Sequence, residues 1–135
     1  MPTVKRIDHI AVIVEDLDAT LGFWRDALGI ELTGVEEAPE EAARVAFLPV
    51  GGSQVELVEP TMLDSGLKRY LEKRGPGMHH ICLEVDNLHG MLDQLRERGV
   101  QLVNETPRIG SEGRKYVFIH PKSAFGVMVE LYELP

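Results

Sequence analysis

Cysteine is almost absent: Cys82 stands alone among 135 residues. That excludes an intramolecular disulfide, and a lone thiol in a strand-like run is expected to be a small core residue, not a nucleophile. Basic residues are also scarce. Fourteen Lys and Arg stand against 22 Asp and Glu, for a formal net charge of −8. This balance argues against general binding to nucleic acid or to an anionic membrane, both of which require basic surfaces. It leaves room for an anionic small molecule held by a local basic patch. No apolar run is long enough to span a bilayer, and no low-complexity segment appears. The first residues run straight into a strand pattern with no signal or transit segment ahead of it, so a cytoplasmic location is expected.

What is present fits a single globular domain over 1–135. The hydrophobic fraction is 44% and the charged fraction 27%, which is ordinary for a folded chain of this size. Half the chain would make a weak core by itself, so two halves are expected to pack as one unit.

The halves repeat. Ile7-Asp8-His9-Ile10-Ala11 and Met78-His79-His80-Ile81-Cys82 each place His-Ile before an apolar strand, with the histidines 71 positions apart. Val55-Glu56-Leu57-Val58-Glu59 and Val129-Glu130-Leu131-Tyr132-Glu133 close the halves, 74 positions apart. The difference of three fits in loops, where insertions are tolerated. An internal repeat dictates architecture.

The first half reads as β-α-β-β-β. A strand over 5–14 leads to a helix capped by Asp16 or Asp18. Leu17, Leu21, Trp24 and Leu28 form its apolar stripe, and Gly29 ends it. A strand begins at Ile30, and residues 34–43 read as a polar, acidic loop. Strands over 44–49 and 54–59 meet at a Gly51-Gly52 turn. A linking helix over about 64–75, capped by Asp64 or Ser65, separates this module (about 5–60) from the second (about 77–134). There the order recurs: strand 78–85, Asp86 as cap, a helix through Leu88, Met91, Leu92 and Leu95 stopped by Gly99, a strand at 100–103, a loop with Pro107, Gly110 and Gly113, and strands at 116–120 and 126–133. The fold class expected is α+β, two tandem βαβββ modules.

Alternation sets which side chains share a face. His9 lies with Ile7, Ala11 and Ile13, and His80 with Met78, Cys82 and Glu84. Glu56 lies with Gln54 and Val58, and Glu130 with Met128 and Tyr132. A carboxylate set between apolar neighbours is costly to bury unpaired. Two His and two Glu at matched repeat positions can converge on one metal ion. His79 should point the other way, toward a helix, as a structural residue, and His89 and His120 lie at element ends and are not expected as ligands. A mixed set of imidazoles and carboxylates suits Zn²⁺, Co²⁺, Ni²⁺, Mn²⁺ or Fe²⁺ better than Ca²⁺. With open coordination positions such an ion acts as a Lewis acid that stabilises an enolate, and a nearby carboxylate serves as base.

The ordered set Ile7-Asp8-His9-Ile10-Ala11, Val55-Glu56-Leu57-Val58-Glu59-Pro60, Asp64-Ser65, Gly77-Met78-His79-His80-Ile81, His120-Pro121-Lys122-Ser123 and Gly126-Val127-Met128-Val129-Glu130-Leu131 resembles the vicinal oxygen chelate superfamily. Within it, the chain resembles the methylmalonyl-CoA epimerase family over nearly its whole length. The resemblance implies one eight-stranded cup around a metal site, with His9, Glu56, His80 and Glu130 as ligands and Glu130 as proton-transfer base. It implies one divalent ion per chain, Co²⁺ first, with Zn²⁺, Ni²⁺ or Mn²⁺ as alternatives. It implies an acyl-CoA substrate, epimerised at the carbon between thioester and carboxylate, and a homodimer without nucleic-acid or membrane partners. Lys115 and Lys122, with Arg114, are the basic residues assigned to the coenzyme A phosphates. Two departures stand out. Glu56 occupies a position where the family often has Gln, and the second Glu base of some epimerases falls on Val45. Glu40, Glu41 or water is left to supply the second proton transfer. Rival readings are glyoxalase I, with a similar ligand quartet, and a metal-free small-molecule binding protein of the same fold. An extradiol-type oxygenase fits less well, because its ligand set is a triad.

Overall fold

The computed structural model describes residues 1–135, the Ser111 side chain excepted. It comprises two compact units, one made of Met1–Asp8 with His80–Pro135, the other of His9–His79. Strand β1 (Val4–Ile13) runs through both. The other strands are β2 (Gly34–Ala38), β3 (Ala43–Val50), β4 (Ser53–Pro60), β5 (Gly77–Val85), β6 (Arg108–Ile109), β7 (Lys115–Ile119) and β8 (Val129–Glu133). They form one eight-stranded sheet in the order β2-β3-β4-β1-β5-β8-β7-β6. β1 pairs parallel with β4 and β5 with β8, while the β2–β3, β3–β4, β6–β7 and β7–β8 pairs are antiparallel. The sheet is therefore mixed, and the α+β class with eight strands is as expected. Among the described residues no helix is long and apolar enough to cross a membrane.

In the His9–His79 unit, Asp16 caps helix α1 (Leu17–Leu21) by accepting from the Ala19 amide. The chain then widens into a π-helical segment, Gly22–Ala27, closed by the Leu28 amide donating to the Phe23 carbonyl five residues back. The wider turn breaks the 3.6-residue stripe expected through Leu28. Leu17 and Leu21 are buried and Trp24 packs beside them, but Leu28 is 54% exposed. Gly29 has the positive φ, +79°, of a helix stop.

Two sequence expectations fail here. Ile30–Leu32 is not a strand; Ile30 and Leu32 instead pack against the cluster of Val14, Leu17, Leu21, Ala46, Leu48 and Leu57. The acidic stretch expected as loop holds β2, paired with β3 from Gly34 opposite Phe47 to Ala38 opposite Ala43. β2 ends the sheet, and exposed Glu36 and Glu37 are suitable chemistry for an edge that must not recruit another strand. Charge hid the strand from a search for hydrophobic alternation. Helix α2 (Gly66–Arg74) is capped by Ser65 and ended at Gly75, φ +78°.

In the other unit, helix α3 (Leu88–Glu97) is capped by Asn87, not Asp86. Asp86 instead accepts from the backbone and hydroxyl of Thr3 at 2.8 and 2.9 Å. Those bonds hold its carboxyl below the ordinary aspartate value. Residues 100–103 contribute only an isolated bridge, Leu102 to Ile119, and the expected loop contains the two-residue β6. Leu88, Met91 and Leu92 pack on Val85, Leu102, Val117, Ile119 and Leu131. The opposite face of β5, β7 and β8 carries Cys82, Tyr116, Tyr132 and Phe118.

The repeat has a structural consequence at the helix starts. The Leu17 amide donates to Glu59 at 2.8 Å, and the Leu88 amide donates to Glu133 at 2.6 Å. In each half, the second Glu of the closing strand thus satisfies an orphan N–H and places negative charge at a helix N-terminus.

Candidate active site

In the first repeat the parallel register of β1 and β4 sets Ala11 opposite Glu56 and His9 opposite Gln54. His9 Nδ1 lies 3.2 Å from Glu56 Oε2. Gln54 Nε2 donates to the same oxygen at 2.9 Å. His9 is buried and Glu56 nearly so. The buried core of this face is apolar: Ala11, Ala43, Val45 and Val58, with Phe47 and Leu67 against them.

The second repeat uses the same register. β5 and β8 run parallel with Cys82 opposite Glu130. His80 Nε2 lies 3.0 Å from Glu130 Oε1. Phe118, cross-strand from Glu130, meets the His80 ring edge-on at 5.2 Å between centroids. Each unit thus brings one imidazole and one carboxylate together on one sheet face. Each pair offers a nitrogen and an oxygen donor, a mixed set of the kind that suits a borderline divalent ion.

A sequence model of the Glyoxalase/Bleomycin resistance protein/Dioxygenase superfamily matches residues 8–118. The mitochondrial methylmalonyl-CoA epimerase of Mus musculus is 37% identical over 127 residues, covering 93% of this chain and 71% of the relative. The ethylmalonyl-CoA/methylmalonyl-CoA epimerase of Cereibacter sphaeroides is 33% identical over 133 residues, covering 97% and 99%. The chain belongs to the methylmalonyl-CoA epimerase family of this superfamily. A solved Streptomyces coelicolor methylmalonyl-CoA epimerase variant, in complex with 2-nitronate-propionyl-CoA, superimposes with a TM-score of 0.88 at 36% identity, covering 98% of this chain and 96% of that one. The family and fold expected from the sequence are therefore in hand, and the relatives are enzymes.

The other residues singled out in the sequence fall as follows. His79 turns away from His80 and meets Tyr70 of α2 edge-on at 4.7 Å. His89 is an exposed α3 residue 3.5 Å from Asp93. His120 Nδ1 accepts from the Lys122 amide in the turn after β7. Lys115, first in β7, is exposed and by alternation lies on the α3 side, with Val117 and Ile119. Lys122 is an exposed turn residue. Arg114 lies with its guanidinium 4.7 Å over the Tyr132 ring. Val45 is buried on the His9–Glu56 face. Glu40 and Glu41 sit on a short 3₁₀ turn before β3, exposed.

Sequence reasoning missed a polar cluster at the far end of the His80–Glu130 face. Arg6 donates to Glu84 at 2.9 Å and to Asp8 at 2.8 Å. The Tyr132 hydroxyl donates to Asp8 at 2.8 Å and lies 3.3 Å from Glu84. Asp8, Glu84 and Tyr132 are all buried. Burial pushes the Glu84 carboxyl up, but hydrogen bonds from Arg6 and Lys5 outweigh it and leave the value below that of an ordinary glutamate. Burial, reinforced by the bond to Asp8, pushes the Tyr132 hydroxyl well above the ordinary tyrosine value. The available signal was the two acids in otherwise apolar strands, at Asp8 and Glu84, with Arg6 two residues from one of them.

Proposed function

We propose that this chain interconverts (2R)- and (2S)-methylmalonyl-CoA by removing and returning the α-proton, with a divalent ion held by His9, Glu56, His80 and Glu130. One observation carries this assignment: the His80–Glu130 pair at 3.0 Å and its repeat counterpart, His9–Glu56 at 3.2 Å, in matching strand registers. The epimerase names of the relatives, and the acyl-CoA analogue bound to the Streptomyces protein, support the substrate class.

The donor set fits Co²⁺ first, then Zn²⁺, Ni²⁺ or Mn²⁺. When bound, such an ion supplies Lewis-acid stabilisation to negative charge developing on the substrate's thioester oxygen. Glu130 is the base that takes the α-proton. The His80 imidazole against its Oε1 orients the carboxylate, and Phe118 packs on that imidazole and limits its motion. Fixing base and carbon in one geometry removes much of the entropic cost of the transfer. On the His9–Glu56 face the position that resemblance assigns to a second Glu base is Val45, which is apolar and carries no proton. The proton returned from that side comes from water or from Glu40 or Glu41, which precede Val45 on the chain. The family resemblance also supports a homodimer, which light scattering in solution tests.

The test is Glu130→Gln in protein reconstituted with Co²⁺. A carboxamide still coordinates through oxygen but is a poor base. Turnover of methylmalonyl-CoA should fall by about a hundredfold or more, as for loss of a general base, with metal content largely kept. Near-native turnover at full metal content would remove Glu130 as base. Isomerisation of a glyoxal–thiol adduct, without epimerisation, would replace the reaction with glyoxalase chemistry.

A further inference from the structure

Four of the 14 Lys and Arg fall within the nine residues of α2: Lys68, Arg69, Lys73 and Arg74, against the single acid Glu72. In a chain of net charge −8 this is a concentrated basic patch. Lys73 and Arg74 occupy the last turn, where the helix dipole favours cations. Lys68 and Arg69 occupy the first turn, where it opposes them. Arg69 and Lys73 are also four residues apart, so like charges stack along one helical ridge. Helix stability thus accounts for only half of the patch.

Pairing neutralises little of it. Arg69 meets the fully exposed Asp64 at 3.0 Å, a contact that water screens. Arg74 lies 5.1 Å over the Tyr70 ring. Among the described residues neither Lys68 nor Lys73 has a carboxylate within ion-pair distance.

The helix is also held in a defined place. Leu67 packs on Ala11, Val45 and Val58, two residues along their strands from His9 and Glu56 in the first and last cases. Leu71 is buried. Tyr70 reaches the Met78 carbonyl at 3.4 Å and the His79 ring at 4.7 Å. Through Leu67, α2 is anchored against the apolar cluster on the face that carries His9 and Glu56, while Arg69, Lys73 and Arg74 are exposed and Lys68 is half-buried.

We propose that Lys68 and Lys73, with Arg69 and Arg74 beside them, bind the phosphates of the coenzyme A moiety. This placement rests on the acyl-CoA reading above and moves the phosphate contacts from Lys115 and Lys122 to α2. An acyl-CoA carries a pyrophosphate and a separate ribose phosphate, and cations clustered on one short helix meet such anions with charge-assisted bonds. Lys115 lies on the α3 side of its sheet, away from the His80–Glu130 face, and the Lys122 side chain is an exposed turn residue.

Calorimetric titration with coenzyme A tests this. Three variants are compared with the native protein: Lys68→Gln/Lys73→Gln, Lys115→Gln/Lys122→Gln, and Arg98→Gln, an exposed cation at the end of α3. The α2 pair should weaken coenzyme A binding by about tenfold or more, and should flatten the dependence of affinity on salt. The other two variants should stay within about twofold of native. Lys73, Arg98, Lys115 and Lys122 are exposed and Lys68 is half-buried, and circular dichroism checks that each variant folds. Native-like binding by the α2 pair, or a larger loss in the Lys115/Lys122 pair, would overturn the placement while leaving the epimerase assignment intact. Absence of coenzyme A binding by the native protein would remove both.

Discussion

Tyr132→Phe probes the buried polar cluster with little disturbance. The ring is 1% exposed and its hydroxyl donates to Asp8 at 2.8 Å. Phe keeps the ring volume, so no cavity opens and no cavity cost is added. What is lost is a hydrogen bond to a buried carboxylate, worth about 1.5–3 kcal/mol. Asp8 keeps its bond from Arg6 at 2.8 Å, so the central expectation is a loss of about 2 kcal/mol in unfolding free energy. For a domain of this size that lowers Tm by about 8 °C. Urea unfolding followed by circular dichroism measures the first quantity, and a thermal scan the second. A second signature separates this bond from general loosening. The folded-state value for Tyr132 is raised, so its contribution is complete below the ordinary tyrosine value of 10.0 and is lost as pH rises above it. The native protein should therefore lose stability above that pH by an amount that Tyr132→Phe does not show. A variant within about 0.5 kcal/mol of native, with an unchanged alkaline profile, would refute the reasoning.

Other expectations follow from the same geometry. His80→Ala should lose most of the bound divalent ion measured by elemental analysis, while His79→Ala, whose ring faces Tyr70 and not Glu130, should keep it. Equal loss in both would mean that the wrong histidine was chosen. Glu133→Gln should destabilise the protein by about 1 kcal/mol, because the Leu88 amide loses a charged acceptor at the start of α3; no change in urea midpoint would deny Glu133 that capping role. The Glu84 carboxyl is held below its ordinary value of 4.5, so its stabilisation is present above that value and lost as pH falls through the lower folded one. Arg6→Leu should shrink this acid-dependent loss, and an unaltered acid profile would show that Arg6 is not its cause.

The repeat made the two pairs of the candidate site legible from sequence. The offset between His9 and His80, together with that between Glu56 and Glu130, identified two His–Glu pairs, and the parallel registers place each pair on one face. Alternation also put His79 on the opposite side, against Tyr70. Elements without apolar periodicity were not legible. β2 is an acidic edge strand defined by its pairing with β3, and pairing leaves no mark on a single segment. The π turn at Gly22–Ala27 shifted Leu28 out of the core, although the leucine spacing fitted an α-helix through that residue. Asp86 and Asn87 are adjacent and both can cap. The choice fell to Asn87 because Asp86 is drawn to Thr3, a partner 83 residues away. Long-range polar bonds of this kind, including that from Tyr132 to Asp8, depend on the finished fold.

Proton exchange at the substrate's α-carbon tests the central claim most directly. Native protein loaded with Co²⁺ is incubated with one epimer of methylmalonyl-CoA in deuterium oxide, and the α-proton is followed by NMR. Deuterium should enter the α-position as the epimers interconvert. Because Val45 cannot carry a proton where some epimerases have a second Glu base, incorporation should be faster from one epimer than from the other. Both should collapse in Glu130→Gln. A native, metal-loaded protein that neither exchanges the α-proton nor interconverts the epimers would contradict the account.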